Sequence, residues 1–510
     1  MTCLWTIHRL RRVAAVTALC LGCAAQAQTQ LPSLGGESDL SVQVERRLGE
    51  RIAQEIGRDP AYLDDPVLMD YLLRLWEPLR ASARLRGEMD AEIAERFAWQ
   101  LMLLRDKTVN AFALPGGYFG VHLGLIAITA NRNELAAVLA HELSHVTQRH
   151  ISRLIGKQNQ QAPLIIAGII LAALAASRNP EMAQAAVVGS QALSIQGQLN
   201  FSREMEREAD RVGLGVMAQA GYDMHGAGTM FERLQQANRL NDSGAYPYLR
   251  SHPLTSERIA QVQARLQLEP VTAAGAPSAE HMLMVARSRV LMNPGVDVLR
   301  ELLAEAEPSA FSAVPAQRRP GVLYAAALAA EQLRDLPAAQ RLAARLTEQV
   351  QSDPAALRQA QLLQAQLFVA NQQGAQALTL LEKVQPEPVG QPASDRPALL
   401  LKAQAWVQAG QAERAAQALR LWLADHPLDV SAWTQLALAY TAQGQRLRAI
   451  RAEAEARVAQ GDLQAAADRF RAGQELARAG WGAADHMEAS IIDSRAREVA
   501  LLLRQQALER

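Results

Sequence analysis

The stretch LAAVLAHELSHVTQRH, Leu135 to His150, constrains this 510-residue chain more than any other. Leu135, Val138, Leu139 and Val146 recur at helical spacing, which predicts an amphipathic helix opening at Asn133-Glu134. His141, Glu142 and His145 stand on the same helix. Titratable groups set against an apolar core are unfavourable unless they are paired or bound to a metal. Histidines at i and i+4 are neighbours on one helical face, so both imidazoles reach one ion at the roughly 2.0–2.1 Å that zinc requires. Glu142 projects beside that pair, where its carboxylate can hold a zinc-bound water and take its proton as it attacks a carbonyl.

A catalytic zinc needs a third protein ligand and an open position. The elongated metzincin pattern puts glycine at 148 and histidine at 151, where this chain has Gln148 and Ile151, so His150 reads as polar surface at the helix end. The better candidates lie in SREMEREAD, where Glu206 and Asp210 share one helical face. Glu206 completes a zinc triad with His141 and His145, and Asp210 accepts the outer N–H of a ligand histidine and fixes its tautomer. In SHPLTSERI, Pro253 stiffens the loop that carries His252. His252 can reach the open zinc position or donate to the transition-state oxyanion, and the residues alone leave both roles open.

Cysteine usage narrows the ligand chemistry. All three cysteines, Cys3, Cys20 and Cys23, precede residue 28. That segment reads as an export signal: Arg9, Arg11 and Arg12 come first, then an apolar stretch from Val13 to Ala25 and a small-residue site at Ala25-Gln26-Ala27. Cys23 weakly suggests a lipoprotein alternative, with cleavage after Ala27 the favoured reading. A mature chain without cysteine builds a metal site only from histidine and carboxylate. Charge is balanced at 52 basic and 52 acidic residues, so removing the leader's three arginines leaves a slightly acidic chain. No basic footprint suggests nucleic acid.

The expected fold is mostly α with a small β-sheet. Helical patterns run from about Ser41 to Arg86, punctuated by Pro60, Pro66 and Pro78. Two or three strands follow around turns at Arg105-Asp106-Lys107 and Pro115-Gly116-Gly117. The run Ala162 to Ala176 has fifteen residues without a charge, short of the ~20 that span a bilayer. Its ordinary reading is a buried helix; a membrane-surface or active-site-covering element is the alternative. A further helix spans SREMEREADRVGLGVMAQAG and ends at Gly221, and Pro270 to Pro277 reads as linker. Beyond about Glu280 the chain repeats: Gly410 and Gly444 lie 34 residues apart, the tetratricopeptide (TPR) period, each between two helical patterns. Units around Leu323–Pro354 and Ala355–Pro386 are degenerate, and a last helix from about His486 to Gln506 caps the array. The organisation is therefore signal peptide at 1–27, zinc metallopeptidase domain at 40–268, linker at 269–280 and TPR α-solenoid at 281–510.

The blocks NELAAVLAHELSHVTQRH, SREMEREADRVG and SHPLTSERI resemble the zinc metallopeptidases that include the heat-shock protease HtpX and the CAAX prenyl endopeptidases. NAFALPGGYFGVHLGLI is similar to that family's strand before the zinc helix. The resemblance implies one zinc per chain on His141, His145 and Glu206, Glu142 as general base, Asp210 behind a ligand, and His252 as a metal-seated restraint on activity. It also implies that 162–176 covers the active site. Export signal and repeats together point to a periplasmic, Gram-negative branch in outer-membrane protein quality control, its array docking to barrel-assembly machinery or stalled substrates.

The expected function is a periplasmic zinc endopeptidase that cleaves unfolded or misassembled outer-membrane proteins. The strand segment Asn110–Leu125 would pair with an extended substrate. The rival is a TPR binding protein or chaperone with a latched or vestigial metal site.

Overall fold

A computed structural model describes residues 40–156, 202–240, 247–268, 278–384, 395–478 and 486–508, all within one compact unit, Leu40–Arg510. The expected export leader, the apolar run 162–176 and most of the expected linker lie outside the described residues. Among the described residues no helix is long and apolar enough to cross a membrane.

The chain opens with α1 (Val42–Arg58), β1 (Tyr62–Leu63) and α2 (Pro66–Leu85). Ser41 and Asp65 cap the two helices by accepting from the backbone N–H groups of Val44 and Leu68, and Pro66 occupies the first turn of α2, where no N–H is needed. After α3 (Ala91–Arg96) come β2 (Gln100–Leu104), β3 (Ala111–Leu114) and β4 (Tyr118–His122). Then follow α4 (Leu123–Ile128), α5 (Arg132–Thr147), α6 (His150–Gly156), α7 (Arg203–Gln219), α8 (His225–Leu240), α9 (Tyr248–Ser251) and α10 (Ser256–Leu266).

The sheet has four strands in the order β1-β2-β4-β3, one more than expected. The extra strand, β1, has two residues antiparallel to β2 and is too short to show any periodicity in sequence. The Arg105–Lys107 turn does not close a hairpin, because β4 lies between β2 and β3 in the sheet and runs parallel to β2. The hairpin is β3–β4, closed by Gly116 and Gly117 at φ of +72° and +81°. Left-handed backbone is open to glycine at little steric cost, and a side chain at Gly116 would also put a Cβ 2.6 Å from the Arg46 Cα. This order makes β3 an outer strand and buries β4 between two partners.

Trp76 of α2 meets Phe119 of β4 with ring centroids 4.5 Å apart, and Leu135, Leu139 and Leu143 of α5 share that core. The same core continues into Leu283 and Met284 of the helix Ala279–Leu291, and on to Tyr324. Buried polar pairs reinforce this contact. Tyr71 Oη lies 2.7 Å from His281 Nδ1, and Arg287 grips both carboxylate oxygens of Asp65 at 2.8 and 2.7 Å.

From Ala279 to Leu508 the described chain is a succession of antiparallel helical hairpins, an α-solenoid, ending in the helix His486–Leu508. Gly410, Gly444 and Gly461 each leave a helix at φ between +72° and +78°. In the degenerate units the same left-handed position is taken by Arg334 (+65°) and Gln372 (+58°). A search keyed on glycine passes over such turns, since a non-glycine residue there costs only about 1–2 kcal/mol.

Candidate metal centre

The zinc-motif helix α5 begins at the Asn131 cap, which accepts from the backbone N–H groups of Asn133 and Glu134. Its surroundings differ from the amphipathic expectation: every residue from Glu134 to Thr147 is buried. The helix packs against α2, α7, α8 and β3, so no face is left to solvent along that length. Gly213 of α7 allows one of these approaches, since a Cβ there would lie 3.3 Å from the backbone of Ala140 and His141.

The four expected donors meet in one buried cluster. His141 Nε2 and His145 Nε2 are 3.0 Å apart. Glu206 places Oε2 3.4 Å from His141 Nε2 and Oε1 3.4 Å from His145 Nε2. His252 brings Nδ1 to 3.0 Å from Glu206 Oε1 and 3.3 Å from His141 Nε2. Two ligands at zinc distance with a tetrahedral angle between them stand roughly 3.4 Å apart, so these separations fit one small ion. All four residues can offer a ligand atom to a common point. The donor set, three imidazoles and a carboxylate, suits zinc.

Glu142 lies beside the cluster, with Oε1 3.4 Å from His252 Nε2. Neither carboxylate oxygen meets a hydrogen-bond partner of good geometry among the described residues. Burial raises its pKa, against the opposing charges of His252 and His141. Asp210 Oδ1 is 3.0 Å from His141 Nδ1, on the outer side of the ring. Burial opposes charge on His141, but Asp210 and Glu206 raise its pKa to about 10. Burial also works against Glu206 ionisation, yet His252 and His141 hold it well below the ordinary carboxylate range.

Three further residues belong to this neighbourhood. Arg258 clasps Asp210 through Nε at 2.7 Å and Nη2 at 2.8 Å, and its Nη1 reaches Glu206 Oε2 at 2.7 Å and the Pro253 carbonyl at 3.0 Å. It lies within SHPLTSERI, where an arginine among loop and helix residues carries no signal of its own. Tyr248 stacks on His252 with centroids 4.6 Å apart and donates its backbone N–H to Val109 O just before β3. His150 is the correction: it is fully buried rather than polar surface, with Nδ1 2.8 Å from His145 Nδ1. In an unbroken helix i+5 points elsewhere, but here α5 stops at Thr147 and Arg149 adopts φ +53° before α6. That break returns His150 to its neighbour, and burial lowers its pKa to about 4 despite Glu208.

Residues 84–266 match peptidase family M48. A Vibrio cholerae protein provisionally named a beta-barrel assembly-enhancing protease is 33% identical over 337 residues, 65% of this chain and 66% of that protein. The beta-barrel assembly-enhancing protease of Yersinia pestis is 28% identical over 444 residues, 86% of each chain. The mitochondrial metalloendopeptidase OMA1 of Schizosaccharomyces pombe is 29% identical over 229 residues, 44% of this chain. The chain thus spans just under two thirds of the Vibrio relative, and 62% of the OMA1 protein.

Proposed function

We propose that this chain, whose residues 84–266 match peptidase family M48, is a zinc endopeptidase of the Gram-negative periplasm. Its substrates are unfolded or misassembled outer-membrane proteins. The observation that carries the reading is the meeting of His141, His145, Glu206 and His252 in one buried cluster with Glu142 alongside. Zinc bound by these residues supplies a Lewis acid that lowers the pKa of water and polarises a carbonyl.

The chain's own residues supply the rest. Glu142 accepts the proton of the attacking water and returns it to the leaving amine. Its burial favours that shuttle, because a carboxyl group with a raised pKa holds and releases a proton nearer neutrality. Asp210 and Arg258 orient His141 from behind. An extended peptide adds to β3, the outer strand, and lies beside α5 as it does so. A folded protein rarely offers a free strand, so unfolded chains are preferred. The helical hairpins beyond Ala279 are read as TPR units that hold the substrate or the barrel-assembly machinery. The envelope assignment is supported by the names of the bacterial relatives and by the leader-like sequence before residue 28.

One observation favours a second reading, a binding protein or chaperone whose protease is latched. His252 stands among the ligands on the loop after α9, where it takes the position an incoming carbonyl needs. The test is cleavage of a denatured outer-membrane protein by the zinc-loaded chain and by Glu142→Gln. Cleavage by the wild type alone supports the peptidase. If neither cleaves while both still prevent aggregation of the substrate, the latched binding protein is the better description.

A further inference from the structure

We propose that His150 and Glu208 form a positioning relay that selects the metal-binding tautomer of His145, an inference that rests on the metal reading above. His145 turns Nε2 toward the other donors, 3.0 Å from His141 Nε2 and 3.4 Å from Glu206 Oε1. Its Nδ1 therefore faces away, and there it meets His150 Nδ1 at 2.8 Å. Two ring nitrogens at that distance share a single proton, one donating and one accepting.

Only one direction is compatible with ligation. To bind a metal through Nε2, His145 must carry its proton on Nδ1, so it donates and His150 Nδ1 accepts. The proton of neutral His150 then sits on Nε2, which lies 3.0 Å from Glu208 Oε2, a group that only accepts when ionised. Arg153 Nη1, 2.9 Å from the same oxygen, keeps Glu208 in that form. In the opposite direction, a bare His150 nitrogen would face the carboxylate while the His145 proton pointed into the metal cluster. Glu208 thus fixes the tautomer of His145 through one intervening ring.

The arrangement parallels that of the other ligand. His141 is backed by Asp210 and Arg258, and His145 by His150, Glu208 and Arg153. The difference is exposure. The Asp210 side chain is only 9% exposed, whereas the Glu208 side chain is 30% exposed. Glu208 can therefore be altered without opening the core.

The test is zinc affinity of the full chain, measured by competition with a chromophoric chelator, and the visible spectrum after cobalt(II) substitution. Glu206→Gln is the ligand control. Loss of an outer partner weakens metal binding by about 10- to 100-fold, and that loss is expected for Glu208→Ala and for His150→Phe. His150→Gln, which can accept from His145 and donate to Glu208, is expected to recover much of the affinity and the cobalt spectrum. The alanine substitution, at a partly exposed position, tests the relay even if the buried phenylalanine misfolds. If Glu208→Ala binds zinc within twofold of wild type with an unchanged cobalt spectrum, the relay is overturned while the metal site stands. If wild type and Glu206→Gln both fail to bind zinc, the metal reading itself falls and takes the relay with it.

Discussion

Mild acid should weaken the junction between the metallopeptidase segment and the helical array, through His281. Its ring is fully buried and satisfied as a neutral group. Nδ1 accepts from the Tyr71 hydroxyl at 2.7 Å, and Nε2 donates toward the Thr129 hydroxyl at 3.2 Å and carbonyl at 3.3 Å. Burial lowers its pKa from 6.5 to about 4, with the Thr129 carbonyl and Glu134 pulling the other way. The unfolded chain therefore binds a proton at this site between pH 6.5 and 4 that the folded chain refuses. Stability contributed by neutral His281 is complete above pH 6.5 and is lost as pH falls toward 4. Integrated from pH 7.5 to 5, the loss is about 2 kcal/mol. The measurement is urea unfolding of the wild type and of His281→Gln at both pH values. The stability gap between them should narrow by that amount at pH 5. A gap that stays constant with pH would refute the reasoning, because it would mean that His281 titrates alike in both states.

Other consequences concern packing and the site. Arg287→Ala leaves Asp65 buried beside no cation at that contact and should destabilise the chain by about 3–5 kcal/mol; adding Asp65→Asn should restore part of the loss in the same unfolding assay. Gly213→Val forces α7 away from the backbone of Ala140 and His141, so the melting temperature should drop with a cost of about 1–3 kcal/mol and zinc affinity should fall with it. His252→Ala should raise cleavage of an unfolded substrate, and a large loss of cleavage would instead assign His252 to catalysis.

Much of the fold is legible in the sequence because its signals are local. Ser41, Asp65, Asn131 and Ser202 are capping residues that open helices near where the periodicity places them. Gly410 and Gly444 mark hairpin turns for the same reason. What escapes are features decided by partners far along the chain. β1 exists only because β2 offers an edge, and the parallel pairing of β2 with β4 cannot be read from either strand alone. The full burial of α5 is likewise a property of the helices around it. An apolar stripe three or four residues apart cannot report that its polar face will also be covered.

The site divides along the same line. His141, Glu142, His145, Glu206 and Asp210 lie on helices at spacings that already dictate shared faces, so sequence alone nominates them, and the structure brings them together with His252. His150, by contrast, reads as polar surface because the metzincin glycine and histidine are missing at Gln148 and Ile151, and helical spacing gives no cause to read it otherwise. A position five residues beyond a ligand points away from it in a continuous helix, and nothing in HVTQRH announces the stop at Thr147 or the left-handed Arg149. The cause lies elsewhere: Arg149 is held by Glu45 at 3.0 Å, by the Leu40 carbonyl and by Ser152, all brought up by the N-terminal helix and α6. Arginine at positive φ is costly by itself, and a partly buried ion pair with two further hydrogen bonds offsets that cost. An interaction between residues 45 and 149 thus turns His150 back toward His145, and the environment of a metal ligand is set by a contact more than a hundred positions away in sequence.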